Sequence, residues 1–251
     1  MKLSHGRNHL ALPGPSIIPD RILQAMHQPA PNIYGEHISE LTHSILNDIA
    51  VLANTKGKVA IYVSNGHGMW EAAISNLLKP GEKVLICTSG YFGQRWAEMA
   101  NKMGAKVELL DFGKKDAADP NLIEQALSKD INREIKALFI AQTDTSTSVQ
   151  NNISEISKAL KRTNHPAILV VDAIASFACE KMEMDKWGVD VLLAASQKGL
   201  MTPPGIAYCI LGPRLVKKMK PSQTVSPYWD WYSRINPDRF YAIFGGTAPT
   251  H

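Results

Sequence analysis

The stretch "VDVLLAASQKGLMTPPGIAYCILG", residues 189–212, contains two apolar runs that are typical of buried β-strands. The runs are 189–196 and 206–212, and the nine residues 197–205 separate them. Two parallel strands need a crossover connection of about a dozen residues or more. We therefore expect the second strand to run antiparallel to the first, whether or not the two pair directly.

Further runs of the same kind occur along the chain. All the predicted strands are 58–64, 83–89, 106–112, 135–142, 167–175, 189–196 and 206–212. Most of them are almost continuously apolar, which is typical of strands covered on both faces. Because helical patterns fill the gaps, the sequence predicts an α/β domain with a mainly parallel seven-stranded sheet, one antiparallel strand and helices on both faces.

The composition is that of an ordinary globular protein and narrows the class of function. The chain has 251 residues, 45% of them hydrophobic, and a formal net charge of +4. Its basic residues are not clustered, which argues against nucleic acid as a partner. No run approaches the roughly eighteen apolar residues of a membrane span, and the amino terminus lacks the apolar region of a secretory signal. We expect a cytoplasmic protein with no membrane partner.

Three cysteines, Cys87, Cys179 and Cys209, lie far apart in the sequence. They provide neither a disulfide framework nor the spacing of a metal site. We therefore expect three buried thiols in a reducing compartment, and no metal centre.

The segment "SNGHGMWEAA" follows the first predicted strand and opens a helix. Glycines flank His67, and the N–H groups at a helix N-terminus favour an anion such as phosphate. A dinucleotide site is a rival interpretation, but Glu71 occupies the third glycine position and no acidic residue ends the next strand. A structural role for His67 also stays open.

Two charged residues lie at the carboxyl side of other apolar strand cores, at the edge of the sheet where ligands gather. Asp172 follows an apolar run, and a buried carboxylate needs a cationic or protonated partner. Lys198 follows the sixth run, and a lysine in a dry pocket becomes a nucleophile. Taken singly, Asp172 could be a helix cap and Lys198 a surface charge. Together with the anion site, they predict a pyridoxal 5′-phosphate (PLP) site.

Several motifs in this sequence resemble those of the class V aminotransferases of PLP fold type I, close to the alanine–glyoxylate and serine–glyoxylate enzymes. In order, they are "LALPGPSIIPDRILQAM", "SNGHGMWEAAISNLLKPGEKVLI", "GYFGQRW", "TDTSTSV", "VVDAIAS" and "SQKGLMTPPG". The resemblance covers essentially the whole chain, and the last two motifs are the most specific.

The resemblance implies a role for each matching residue. Lys198 resembles the catalytic lysine that forms a Schiff base with PLP, and Asp172 resembles the partner of the pyridine nitrogen. The other positions that match cofactor contacts are Asn65, Gly66 and His67 at the phosphate, Phe92 stacked on the ring, Ile174 packed under the ring, and Thr145 and Gln197 as polar contacts. Thr247 resembles a threonine that reaches the phosphate of the other subunit, which implies a homodimer with shared active sites.

The resemblance also implies a domain arrangement, and the sequence departs from the family in three places. We expect an N-terminal arm over 1–20 and a PLP-binding large domain over 21–251, without the C-terminal small domain. Ser148 replaces a glycine, so a different turn is expected there, and Phe244 stands where relatives often have tyrosine. The arginine that binds the substrate carboxylate in relatives has no counterpart.

The function implied is transamination of a small amino acid, alanine or serine, with glyoxylate as the amino acceptor. Lys198 would act as the general base that moves the α-proton. Three alternatives stay open: a PLP-binding remnant without turnover, a lyase or desulfurase of the same fold, and a structural subunit that pairs with a full-length partner. A desulfurase needs a mobile cysteine, and all three cysteines lie in or beside strand-like runs.

Overall fold

The computed structural model of the protein describes residues 10–221 and 226–250. Its described residues form one seven-stranded sheet of order β1-β7-β6-β5-β4-β2-β3. The strands are β1 Lys58–Ser64, β2 Lys83–Thr88, β3 Lys106–Asp111, β4 Ile135–Ala141, β5 Ile168–Asp172, β6 Val191–Ala195 and β7 Gly205–Leu211. Every predicted strand is present, and the predicted α/β architecture is confirmed.

Strand β7 is antiparallel to both of its neighbours, and the other pairings are parallel. Ser64 of β1 lies opposite Gly205, and Val191 of β6 lies opposite Leu211. The short connection from β6 explains the reversal, because it cannot cross over the sheet. The prediction of one antiparallel strand is confirmed, and β7 pairs directly with β6.

Helices cover both faces of the sheet and occupy the gaps between strands. The helices are α1 Asp20–Met26, α2 Glu36–Leu52, α3 Gly66–Leu77, α4 Tyr91–Lys102, α5 Pro120–Lys129, α6 Ile153–Arg162, α7 Met184–Trp187, α8 Pro213–Val216 and α9 Trp231–Ile235, with a 3-10 helix over Phe240–Phe244. The buried positions of α2, α5 and α6 pack on one face of the sheet, and those of α3, α4 and α9 on the other.

Successive residues of one strand point into different cores. In β2, Leu85 and Cys87 belong to the core under α5 and α6, whereas Val84 and Ile86 belong to the core under α3 and α4. Because adjacent side chains of a strand point to opposite faces, a sheet buried on both sides needs apolar residues at every position. This explains the continuous apolar runs of the sequence.

Two local predictions are wrong. Cys87 and Cys209 are buried, but Cys179 is exposed, because it lies in a turn that follows β5. The run 167–175 overestimates β5, which ends at Asp172, so Ile174 lies in that turn and not on the strand.

The described residues contain neither a membrane-spanning helix nor a cluster of metal ligands. None of the helices formed by 10–221 and 226–250 is long and apolar enough to cross a membrane. The same residues contain no group of three or more His, Cys, Asp or Glu side chains that could hold a metal ion.

Candidate active site

A cavity of about 190 Å3 lies at the carboxyl ends of the parallel strands, beside the N-terminus of α3. Nine of the ten residues singled out in the sequence line it: Asn65, Gly66, His67, Phe92, Thr145, Asp172, Ile174, Gln197 and Lys198. The carboxyl ends of parallel strands meet at one edge of a sheet, so residues far apart in sequence converge there. Trp70, Thr143 and Ala175 line the same cavity and were missed in the sequence.

The N-terminus of α3 forms one wall of the cavity. The side-chain oxygen of Asn65 accepts hydrogen bonds from the backbone N–H groups of His67 (3.1 Å) and Gly68 (3.3 Å). These two donors are therefore satisfied within the protein, whereas the sequence predicts N–H groups open to an anion at this terminus. The helix dipole still makes this end of α3 electropositive.

Gly66 allows a close approach between α3 and the turn after β5. A Cβ atom at this position would lie 2.4 Å from Cδ1 of Ile174, well inside van der Waals contact. Glycine therefore lets the first residue of α3 pack on Ile174, and both residues line the cavity.

Asp172, the last residue of β5, is the buried carboxylate of the cavity, with an exposed fraction of 6%. Its Oδ1 accepts the backbone N–H of Ile174, and its Oδ2 accepts the indole N–H of Trp70, each at 2.8 Å. Burial raises the pKa of Asp172 to about 6, and the two hydrogen bonds and the charge of Lys198 partly oppose that increase. The pKa of this carboxyl group thus lies well above that of an exposed aspartate.

Lys198 lies in the connection between β6 and β7 and is half-buried. Its Nζ donates to the carbonyl oxygen of Pro13 at 2.8 Å, so the "PGPS" segment covers the lysine. Ser16 fastens that segment, since its hydroxyl donates to the carbonyl of Lys198 and its N–H to the carbonyl of Gln197. Burial lowers the pKa of Lys198, although the charge of Asp172 opposes the change. A lower pKa makes the neutral, nucleophilic amine more accessible.

Asp144 fixes the aromatic wall of the cavity. Its carboxylate accepts the N–H groups of Phe92 (3.0 Å) and Gly93 (3.2 Å) at the start of α4. It also accepts the hydroxyl of Ser146 at 2.6 Å, in the turn that presents Thr145. Ser148 in this turn has a φ of 60°, the left-handed conformation that glycine adopts without strain.

Two buried polar atoms of the cavity have no hydrogen-bond partner in the described part of the chain. They are the hydroxyl oxygen of Thr143 and the side-chain carbonyl oxygen of Gln197. Buried polar atoms are almost always paired in native proteins, so unpaired ones in a cavity point to a polar ligand.

Thr247 is not brought to this cavity. It is exposed and lines a separate, mostly apolar cavity of about 570 Å3, beside α1, α2 and Tyr208. Phe244 packs into the core on the same side of the sheet. Thr247 is therefore not among the described residues that line the cavity around Lys198.

Comparison with known proteins gives a family match over residues 10–240, to the family described as aminotransferase class-V. The chain belongs to the class-V aminotransferases. This family uses PLP. The match spans every strand of the sheet and every residue of the cavity around Lys198.

Individual relatives of this class-V aminotransferase act on glyoxylate according to their names. It is 34% identical over 244 residues to a serine–glyoxylate aminotransferase of Methylorubrum extorquens, covering 94% of this chain and 61% of the relative. It is 31% identical to an L-aspartate–glyoxylate aminotransferase of Paracoccus denitrificans, covering 89% of this chain and 57% of that one. The chain thus spans about 60% of the length of these relatives.

The fold is also that of solved fold-type-I aminotransferases. An aspartate aminotransferase of Thermus thermophilus superposes with a TM-score of 0.86 and 26% identity, covering 97% of this chain and 66% of that structure. The cavity of this class-V aminotransferase is lined by polar and aromatic side chains and by one lysine, and no arginine from the described residues lines it.

Proposed function

We propose that this chain is the cofactor-binding part of an aminotransferase that passes the amino group of alanine or serine to glyoxylate. The products would be glycine and a 2-oxo acid. The observation that carries the proposal is the single cavity that contains the amine of Lys198, the buried carboxylate of Asp172 and the start of α3. The names of two relatives, which both include glyoxylate, support the choice of acceptor.

The residues of the cavity fit PLP. The electropositive end of α3 suits its phosphate, a buried carboxylate suits its pyridine nitrogen, and the unpaired oxygens of Thr143 and Gln197 suit its polar substituents. We propose that the group is held by Asn65, Gly66 and His67 at the phosphate, by Asp172 at the ring nitrogen, by Phe92 and Ile174 on the ring faces, and by Thr145 and Gln197 as polar contacts.

When bound, PLP supplies an aldehyde that reacts with amines and a ring that withdraws electrons from the substrate α-carbon. The chain supplies the proton transfers. We propose that Nζ of Lys198 accepts the α-proton of the amino acid and returns it later in the reaction. Its pKa is already lowered by burial, which keeps a larger share of the amine neutral at a given pH.

Asp172 supplies a negative charge that complements a protonated ring nitrogen. A cationic ring nitrogen in the cavity would lower the pKa of this carboxyl group, because an opposite charge favours the ionised form. The ionised carboxylate would in turn favour protonation of the ring nitrogen, which is the form in which the ring withdraws electrons.

The lysine assignment is tested by adding PLP to the purified protein and recording its visible absorbance. We expect the unaltered protein to acquire the yellow absorbance of lysine-linked PLP and Lys198→Ala to lack it. Lys136→Ala is the control, because Lys136 is an exposed lysine of β4 outside the cavity. If Lys198→Ala and the unaltered protein give the same spectrum, the assignment is wrong.

Turnover is tested separately, by mixing the PLP-loaded protein with alanine or serine and glyoxylate and measuring glycine. Glycine formation supports the aminotransferase. PLP binding without glycine supports the second candidate, a binding domain without turnover, which is favoured by the lack of an arginine among the described residues of the cavity. A desulfurase is the weaker alternative, although the exposed Cys179 packs against Gly199, next to the lysine.

The arrangement of subunits and domains is also a proposal. We propose a homodimer in which Thr247 of one subunit reaches the phosphate site of the other, with residues 1–20 as an arm and 21–251 as the large domain. The exposure of Thr247 supports this, since a partner can reach it. Sedimentation measures the mass, and Thr247→Ala should weaken PLP binding without changing that mass.

A further inference from the structure

The two oxygens of the Asp172 carboxylate are held by two different elements. The backbone N–H of Ile174 reaches Oδ1 from the turn after β5, and the indole N–H of Trp70 reaches Oδ2 from α3, both at 2.8 Å. A carboxylate oxygen offers about two acceptor positions. Each oxygen therefore keeps a free acceptor position, and Asp172 lines the cavity.

The indole of Trp70 is itself fixed in place. Trp70 lies in the second turn of α3 and has an exposed fraction of 2%. Its ring stacks on Trp96 at 5.9 Å, meets Phe92 edge-on at 6.2 Å and lies 4.5 Å from the ring of His67. An aromatic side chain enclosed in this way has little freedom to rotate, so its N–H points constantly at Asp172.

We propose that Trp70 is a positioning residue for Asp172: its indole N–H fixes the carboxylate so that a free acceptor position of the carboxylate faces the ring nitrogen of PLP. This inference rests on the proposed cofactor site. Helix α3 would then have two roles, because it begins at the predicted phosphate site and carries Trp70, which holds Asp172, one turn later.

The charges around the carboxylate give the direction of the expected effect. Asp144 raises the pKa of Asp172, and Lys198 and the hydrogen bonds from Ile174 and Trp70 lower it, while burial is the largest influence and raises it. His67 faces Trp70, and both burial and Arg95 lower the pKa of this histidine. Removal of the indole N–H takes a donor away from the charged form, so the pKa of Asp172 should rise.

The test compares two tryptophan variants in protein without PLP. Trp70→Phe keeps an aromatic ring but loses the N–H. Trp96→Phe is the matched control, because Trp96 is also buried, stacks on Trp70 and has an indole nitrogen with no partner among the described residues. Carboxyl 13C NMR of labelled aspartate measures the pKa, with Asp172→Asn assigning the resonance.

We expect Trp70→Phe to raise the pKa of Asp172 by about 1, the size of a hydrogen bond to a charged group, and Trp96→Phe to leave it unchanged. Equal values in the two variants would overturn the proposal. If Trp70→Phe does not fold, the indole 1H–15N resonance of Trp70 in the unaltered protein tests whether its N–H is bonded to Asp172. The chemical shift of this resonance should follow the titration of Asp172 in the unaltered protein and should be independent of pH in Asp172→Asn. A resonance whose chemical shift does not change as Asp172 titrates would overturn the proposal.

A second measurement separates this inference from the proposed function. The probe is 4′-deoxypyridoxine 5′-phosphate, which has the ring nitrogen and the phosphate but no aldehyde to react with a lysine. We expect Trp70→Phe to weaken its binding by about tenfold, equivalent to the pKa change, and Trp96→Phe to bind normally. Equal binding by the two variants counts against the positioning role. Failure of the unaltered protein to bind the probe refutes the cofactor site, while NMR still decides the Trp70–Asp172 contact.

Discussion

Burial of the Asp172 carboxyl group makes the stability of the cofactor-free protein depend on pH in an unusual direction. Its pKa rises from an ordinary 3.8 to about 6 in the folded chain. A group whose pKa is raised by folding stabilises the native state fully below its unfolded pKa, and that contribution is lost as pH rises through the folded pKa. Asp172 should therefore destabilise the empty protein above pH 6.

The magnitude follows from the two pKa values. They differ by about 2, and each pKa unit corresponds to about 1.4 kcal/mol, so the ionised carboxylate costs about 3 kcal/mol at pH 8. Asp172→Asn removes this cost, because the amide is neutral at every pH. The variant should gain about 3 kcal/mol relative to the unaltered protein between pH 3 and pH 8.

Urea unfolding of both cofactor-free proteins across that pH range measures the difference in unfolding free energy. The quantity to follow is the difference in unfolding free energy between the two proteins. His67 and His165 have lowered pKa values, so they make both proteins more stable as pH rises, opposite to the effect of Asp172. At pH 3 Asp172 is largely neutral in both the folded and the unfolded state, so the comparison there isolates packing. A difference that stays constant from pH 3 to pH 8 would refute the reasoning.

Three further substitutions test the framework of the cavity. Asn65→Ala removes the cap of α3 and should cost about 1 kcal/mol in thermal unfolding, whereas Asn65→Ser should retain most of the stability. Asp144→Asn weakens the charge-assisted hydrogen bonds to α4 and should lower the urea midpoint by an amount equivalent to about 1–3 kcal/mol. Gly199→Ala places a Cβ atom 2.2 Å from the carbonyl oxygen of Phe177, so the substitution should destabilise the chain by about 1–3 kcal/mol in the same urea assay. An unchanged urea midpoint would contradict this close packing.

The strands could be predicted from the sequence because burial on both faces leaves a continuous apolar signal. The same signal makes the predicted β5 too long, because the buried Ala173 extends the apolar run past Asp172, the last residue of the strand. The direction of β7 was predictable for a different reason, since it depends on the length of one connection. Exposure of Cys179 was not predictable, because it depends on how the turn after β5 packs.

Site residues that follow an apolar run could be predicted from the sequence. Contacts between residues that are distant in the sequence could not. Lys198 and Asp172 were located by their positions after apolar runs. The contact of Trp70 with Asp172 spans 102 residues, and that of Lys198 with Pro13 spans 185, and no local pattern encodes either. Trp70 is part of an ordinary amphipathic helix pattern, so its hydrogen bond becomes visible only in three dimensions.

The position of β1 at the edge of the sheet has a consequence for biosynthesis. Among the described strands β1 pairs with β7 alone, so β1 leaves the ribosome well before its partner, which is synthesised after five other strands of the sheet. Pairing across such a long stretch of chain is slow, and an unpaired apolar strand is prone to aggregation. The nascent protein thus has a long interval in which β1 lacks its neighbour, and a chaperone that shields β1 during that interval should raise the yield of folded protein.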